Sequence, residues 1–325
     1  MGNEPLTHIP TLVIDTAESS RNYSVTLGPT KGSVSLGDEE VIILHERTTQ
    51  ELAAMARRNP CTRRDAEKLD KIPPATSKEG AGGQKIFAVN VGKAEDPLIV
   101  QSLSNLFTTE RNRCRYGALC DQGTSILASD VLDVNLFGSG FGSTAAGLLL
   151  YIISRIRYVA KLLGLKIRVH VILTSPSVAK THDVVTAWGA FGATCKEVLV
   201  AMTDAARIEF GLFTGAKITH EPGSKLLDTF TIWGCSTGNL VAGDRDEVAS
   251  SIGLLLFYMA HSQLGGLSES AFCDPQKTVL DTSLGYRGIR RLGLARFAID
   301  RDLNREIAFN AAILAISRML NRDNN

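Results

Sequence analysis

Neither sign of charge dominates this chain of 325 residues: 35 lysines and arginines stand against 34 aspartates and glutamates, a net charge of +1. That balance supplies no bulk attraction to nucleic acid or to an acidic membrane surface. Long apolar runs are missing too. The longest, Ala145–Ile153 and Ile252–Ala260, fall well short of the roughly 20 residues that cross a bilayer. The start, Met1-Gly-Asn-Glu-Pro, has no basic segment leading into an apolar run, so it does not read as a signal peptide. No cysteine pair has the CxxC spacing of a zinc site, and none of the six histidines joins the six cysteines in a ligand cluster. The cysteines, at 61, 114, 120, 195, 235 and 273, are dispersed along a chain too large to need disulfide staples and read as reduced. These absences predict a cytoplasmic protein with no nucleic-acid partner, no membrane insertion and no structural metal.

What is present is globular. Hydrophobic residues make up 44% and charged residues 21%, enough to build a sizeable core in one large domain or in one large and one small. Short β-branched runs predict strands at Thr11–Ile14, Val41–Leu44, Val131–Phe137, Ile167–Leu173, Phe230–Trp233 and Leu292–Ile299. Helical patterns fall between them. In Thr144–Leu163, Leu148, Leu149, Ile152, Ile153, Ile156, Val159 and Ala160 repeat at three- and four-residue steps, the mark of a helix lying on a sheet. A second helix, Asp246–Leu264, is apolar almost all round and reads as central. Strands alternating with helices predict an α/β fold with a mostly parallel sheet flanked by helices, whose ligands bind beyond the carboxyl ends of the strands. The stretch Arg57–Gly83, with six basic residues followed by Pro73, Pro74 and glycines, reads as a solvated surface loop.

The segment Val131–Gly147 carries the most chemistry: a strand, the turn Gly138-Ser139-Gly140-Phe141-Gly142-Ser143-Thr144, and then the strongest helix. Backbone amides of such a turn, backed by the positive end of a helix dipole, form an anion site that glycines open to close approach by a phosphate. The turn is not a Walker loop, since no Lys-Ser/Thr follows the last glycine, and it fails GxGxxG because the third glycine comes one residue early. A tight turn with no ligand is the alternative. A second cluster, Gly80-Ala81-Gly82-Gly83-Gln84, reads either as a flexible linker or as a second cradle at the same sheet edge.

The two glycine clusters together resemble the tubulin/FtsZ superfamily. Gly138–Thr144 is similar to the signature loop that holds GTP phosphates there, and Gly80–Gln84 to the γ-phosphate loop of FtsZ. Ile14-Asp15-Thr16-Ala17, Leu173-Thr-Ser-Pro176 and Gly293–Arg305 followed by Ala311-Ala-Ile-Leu resemble further family segments, in the family's order. The resemblance implies a nucleotide-binding domain over residues 1–264, central helix included, and a partial C-terminal, activation-type domain over 265–325. It implies GTP or GDP as ligand with Mg2+ as the accompanying ion, Asp15 and Asn239 as further nucleotide contacts, and head-to-tail self-association. Hydrolysis in that family needs a carboxylate from the next subunit, a role the resemblance gives to Asp274, with Glu269 second; a turn beginning at Asp274-Pro275 is the alternative.

Departures accompany the match. Only ten residues precede the strand at Thr11, where the family has a first strand, a phosphate loop and a helix, so the chain reads as shortened at both ends. Phe141 replaces a phosphate-contacting threonine, and in Phe191-Gly-Ala-Thr194 the guanine-reading asparagine is Gly192. A pseudo-GTPase that keeps the fold without turnover is therefore the competing expectation, and an enzyme using another nucleotide at the same edge the third. Trp188 and Trp233 read as packing residues, Cys195 and Cys235 as small buried hydrophobes, and His170 as a structural residue within a strand.

Overall fold

The structure, a computed structural model, describes residues 11–16, 22–27, 30–35, 40–77, 84–120, 131–178, 184–202, 207–224, 226–233 and 289–292. The chain divides into two units, Met1–Leu292 and Gly293–Asn325, and the second lies wholly outside the described residues. So do the expected central helix Asp246–Leu264 and the expected boundary at 264/265. In chain order the first unit has β1 (Val13–Asp15), the hairpin of β2 (Asn22–Leu27) and β3 (Thr30–Ser35), and β4 (Val41–Ile43). Four helices follow: α1 (Thr49–Arg57), α2 (Arg63–Leu69), α3 (Lys85–Ala94) and α4 (Asp96–Cys120). Then strand and helix alternate as β5 (Val131–Ser139), α5 (Ser143–Leu162), β6 (Lys166–Thr174) and α6 (Val184–Met202). The hairpin of β7 (Ile208–Gly211) and β8 (Lys217–His220), β9 (Thr229–Trp233) and β10 (Ile289–Leu292) complete the described elements.

The fold is α/β with mostly parallel sheets flanked by helices. β10, β9, β6 and β5 lie in that order in one all-parallel sheet, and β5 pairs with β6 from Val131 against Lys166 to Ser139 against Thr174. One face of it joins the core: Val169, Val171 and Leu173 of β6, Phe230 of β9 and the partly buried Leu132, Val134 and Leu136 of β5 pack with Leu148, Leu149, Ile152 and Ile153 of α5. The alternation follows from the period of two along each strand.

Expectation and structure part at three places. A single mostly parallel sheet would include Thr11–Ile14 with Val131–Phe137, but β1 begins at Val13 and pairs with β4 as a separate parallel pair, Val13 with Val41 through Asp15 with Ile43. A three-residue apolar run announces a strand without naming its neighbour, which tertiary packing decides. β10 shares only Leu292 with the expected strand Leu292–Ile299, whose remaining residues lie outside the described ones. Finally, Arg57–Gly83 is not a loop throughout, being helical from Pro60 to Leu69. Pro60 opens a 3-10 turn, α2 follows, and Thr62, Ala66 and Leu69 turn inward at helical spacing while Arg57 pairs with Asp70 and Lys93 of α3 reaches Asp65 at 2.5 Å.

α5 matches its expected span to within one residue at each end. It is buried on more than one stripe because the sheet takes one side and α3 and α4 the other. Gly147 makes the α3 contact possible: a Cβ there would stand 2.7 Å from both the Ala88 Cβ and the Lys85 carbonyl oxygen. α4 is tied to α5 by charge. Asp96, at the start of α4, accepts hydrogen bonds from both the Nε and a terminal nitrogen of Arg155, and from the Tyr151 hydroxyl at 2.5 Å. Burial, reinforced by the neighbouring Asp96 charge, pushes the Tyr151 phenol above its usual range, so it stays a donor.

His220, in β8, is a half-buried imidazole with a shielded Nε2. Its Nε2 has no hydrogen-bond partner among the described residues. Burial, with the Arg157 charge adding to it, holds its pKa below the ordinary 6.5. The unfolded chain therefore takes up a proton near pH 6.5 that the folded chain refuses until lower pH. Stability is unaffected by this group above about pH 7 and falls as pH drops through 6.5. Urea unfolding at several pH values should show that decline flattened in His220→Leu; an unchanged slope in the variant would remove His220 as its cause.

Candidate functional site

Three strand ends meet at the carboxyl edge of the sheet. β5 ends at Ser139, β6 at Thr174 and β9 at Trp233. The Gly140 amide donates to the Thr174 carbonyl at 3.0 Å and the Ser175 amide to the Trp233 carbonyl at 2.8 Å, so the loops leaving the strands are stitched side by side. The expected phosphate turn lies here. Gly138 and Ser139 close β5, Gly140, Phe141 and Gly142 turn the chain, and Ser143 and Thr144 open α5.

The turn uses some of its donors internally. Gly142 is the N-cap of α5 with extended backbone, and no side chain caps the helix; the Ser139 hydroxyl instead accepts the Gly142 amide at 3.0 Å. The first helical bond runs from the Ala146 amide to the Gly142 carbonyl at 2.9 Å. The amides of Phe141, Thr144 and Ala145 then have no partner among the described residues, at the positive end of a 20-residue helix. These residues are half-buried, which leaves them reachable from solvent.

Gly140 has another occupant. A Cβ there would lie 2.6 and 2.8 Å from two ring carbons of Phe191 and 3.2 Å from the Thr174 carbonyl. The Phe191 ring, from α6, fills the space beside the glycine, and Phe141 packs against the core. No local sequence signal foretells this contact, because Phe191 is far along the chain and reaches Gly140 only through the packing of α6.

The second glycine cluster enters through its last residue. Gln84 is the N-cap of α3, again with no side-chain cap, and the Lys85 backbone lies against Gly147 in the second turn of α5. The starts of α3 and α5 are thus neighbours at one edge. Gly80, Ala81, Gly82 and Gly83 lie outside the described residues, as do Asn239, Glu269 and Asp274. Asp15 ends β1, in the separate pair; its carboxylate accepts the Thr16 amide at 2.7 Å and its carbonyl the Leu44 amide at 2.8 Å. Gln84 therefore stands at the start of α3, which packs against the second turn of α5, and Asp15 at the end of β1 in the separate pair.

Lys85, not singled out in the sequence, opens α3, and its Nζ pairs with Glu197 at 3.3 Å. Burial pushes the nearby Cys195 thiol up to about 11, with Lys85 offsetting part of the rise, so this thiol is protonated at neutral pH and is not a nucleophile. Trp233 is buried as expected, whereas Trp188 is 47% exposed.

A separate relay crosses the sheet. Asp133 receives Arg168 through two hydrogen bonds of 2.6 and 2.7 Å and lies 3.1 Å from His170 Nε2, while His170 Nδ1 is 2.8 Å from the Thr229 hydroxyl. Burial alone would raise the Asp133 carboxyl, but the bonds from His170 and Arg168 outweigh it and hold its pKa below the usual range. Thr229 is buried and Asp133 exposed, so the arrangement knits three strands from the core out to the surface. Among the described residues no three His, Cys, Asp or Glu side chains are grouped to hold a metal, and no helix is long and apolar enough to cross a membrane. No protein-family model matches the chain, and no curated protein or solved structure matches it either.

Proposed function

We propose that the carboxyl edge of the sheet is a nucleotide site and that the protein is a tubulin/FtsZ-like GTP-binding protein. The observation that carries this reading is the uncapped start of α5: the amides of Thr144 and Ala145 have no partner among the described residues, and a phosphate oxygen can accept their hydrogen bonds. In this reading Gly138–Thr144 receives the phosphates, Gly80–Gln84 closes over the terminal one from the start of α3, and Asp15 and Asn239 complete the nucleotide contacts. Mg2+ would accompany the nucleotide. Subunits associate head to tail, Asp274 or Glu269 of one polarising the attacking water at the γ-phosphate of the next.

Affinity is expected to be modest. The Gly140 and Gly142 amides are already committed to Thr174 and Ser139. A charge-assisted hydrogen bond contributes about 1.5–3 kcal/mol, so withholding two lowers affinity on the order of a hundredfold or more. Calorimetric titration should give micromolar or weaker binding of GTP and GDP, competed by pyrophosphate and not by guanosine. Submicromolar binding would show the two amides released on binding, and no binding at millimolar nucleotide would end the reading.

Phe191 favours a second reading. Its ring, packed where a phosphate would approach Gly140, together with Phe141 in the turn, supports a pseudo-GTPase scaffold that retains the fold without turnover. Hydrolysis separates the two. An active protein shows turnover rising more than linearly with its own concentration and abolished by Asp274→Ala; a scaffold shows none at any concentration.

A further inference from the structure

We infer that the outward face of α6 is a self-complementary surface through which two copies of this chain pair about a two-fold axis. The face is apolar for a helix turned to solvent: Val185 is 83% exposed, Trp188 47% and Val200 48%, with Gly189, Gly192 and Ala193 exposed between them. A groove of about 400 Å³ opens beside its C-terminal half, lined by Leu150, Ala193, Lys196, Glu197, Val200 and Ile208. A large exposed aromatic and an empty apolar recess thus occur on one surface.

Their positions name the occupant. The α6 residues of the groove centre near Lys196 and Glu197, about 12 Å beyond Trp188 at 1.5 Å per residue. Halfway between lie Gly192 and Ala193, and a Cβ added at Gly192 would meet nothing within 4 Å, so the helix surface is open at that point among the described residues. A two-fold axis at that point exchanges Trp188 with the groove. Each copy then inserts its indole into the recess of the other, the same patch serving both sides as an isologous contact requires. Trp188 borders one flank of the exposed face and the groove the other, so the two helices cross steeply instead of running side by side. Glycine and alanine at the crossing let the backbones approach.

The charges agree with the same occupant. Lys196, on the rim, has no ion-pair partner among the described residues and would lie over the partner copy's indole in this arrangement, while Glu197, paired with Lys85 at 3.3 Å, keeps acceptor capacity for its N–H. A membrane would meet Glu197 unfavourably, and a foreign partner would not require both the anchor and its recess. A helix of 19 residues extends about 28 Å, so the contact covers well under the roughly 800 Å² per partner of a standard interface. The dimer is accordingly weak, with a dissociation constant on the order of 10–100 µM.

Sedimentation velocity of the full chain without nucleotide, from about 5 to 500 µM, should show a monomer–dimer equilibrium that stops at two. Trp188→Ala and Val200→Glu, each confirmed folded by circular dichroism, should weaken pairing by about 30-fold or more, the effect of losing an aromatic anchor. Mixing the two variants should restore part of it, since the first keeps an intact groove and the second an intact tryptophan. A wild-type chain monomeric throughout, species that grow beyond two, variants that still pair, or a mixture with no recovery would each overturn the inference. Head-to-tail assembly with GTP is a different contact, and its failure leaves this result untouched.

Discussion

Asp96→Ala is expected to lower the unfolding free energy by about 3–5 kcal/mol, the cost of leaving one partner of a buried ion pair alone. The Arg155 side chain is only 5% exposed and the Asp96 side chain 11%. Removing the carboxylate strands a guanidinium that cannot reach water, and it also deprives the Tyr151 hydroxyl of its acceptor. Arg155 keeps two compensations, the Tyr158 ring 5.0 Å and the Tyr151 ring 5.9 Å from its central carbon, whose cation–π attractions of roughly 0.5–2 kcal/mol each are too small to replace a carboxylate. The double variant Asp96→Ala/Arg155→Met should recover at least half of the loss, because an apolar pair no longer carries an uncompensated charge. Urea unfolding of both checks this. A single variant within about 1 kcal/mol of the parent would show that the pair does not join α4 to α5 as the geometry indicates.

The same cluster shows what was legible in the amino-acid sequence. Seven apolar residues at three- and four-residue steps placed α5 to within a residue at each end, because a helix on a sheet must repeat its contacts with the period of its own turn. The same repeat does not disclose that Arg155, one position from Ile156, would also be buried, since the acid that receives it belongs to another helix. α1 was legible and overlooked: Thr48-Thr-Gln-Glu51 spells a capping box, and Thr48 and Glu51 do exchange side-chain-to-amide bonds of 3.2 and 2.8 Å. α2 hid among basic residues whose long stems disguise the inward spacing of Thr62, Ala66 and Leu69. Trp188 read as core because tryptophans usually are, yet α6 sits at the surface with one apolar face outward. For the site, the glycines of Gly138–Thr144 marked the turn correctly as the junction of β5 with α5. Nothing local could say whether a ligand or a side chain needs the missing Cβ at Gly140, because that depends on what arrives from elsewhere in the fold.

Gly140→Ala answers that question. The added methyl would stand 2.6 and 2.8 Å from the Phe191 ring and 3.2 Å from the Thr174 carbonyl, closer than carbon atoms pack, so either α6 shifts or the turn does. Overpacking of this kind costs about 1–3 kcal/mol, and the backbone acceptor on one side places this substitution in the upper part of that range. If the glycine serves packing, Phe191→Leu makes room for the methyl. The double variant should then be more stable than the sum of the single changes by more than about 0.5 kcal/mol, the coupling expected of residues in contact. Nucleotide binding separates the two uses of the same atom. Should phosphate approach Gly140, the methyl obstructs it whatever stands at position 191, and affinity for GTP stays reduced in the double variant although stability returns. Should Phe191 alone require the glycine, both recover together. Recovery of neither would mean that the Thr174 carbonyl, which also receives the Gly140 amide at 3.0 Å, is the contact that forbids a side chain. The turn would then owe its glycine to the stitching of β5 to β6.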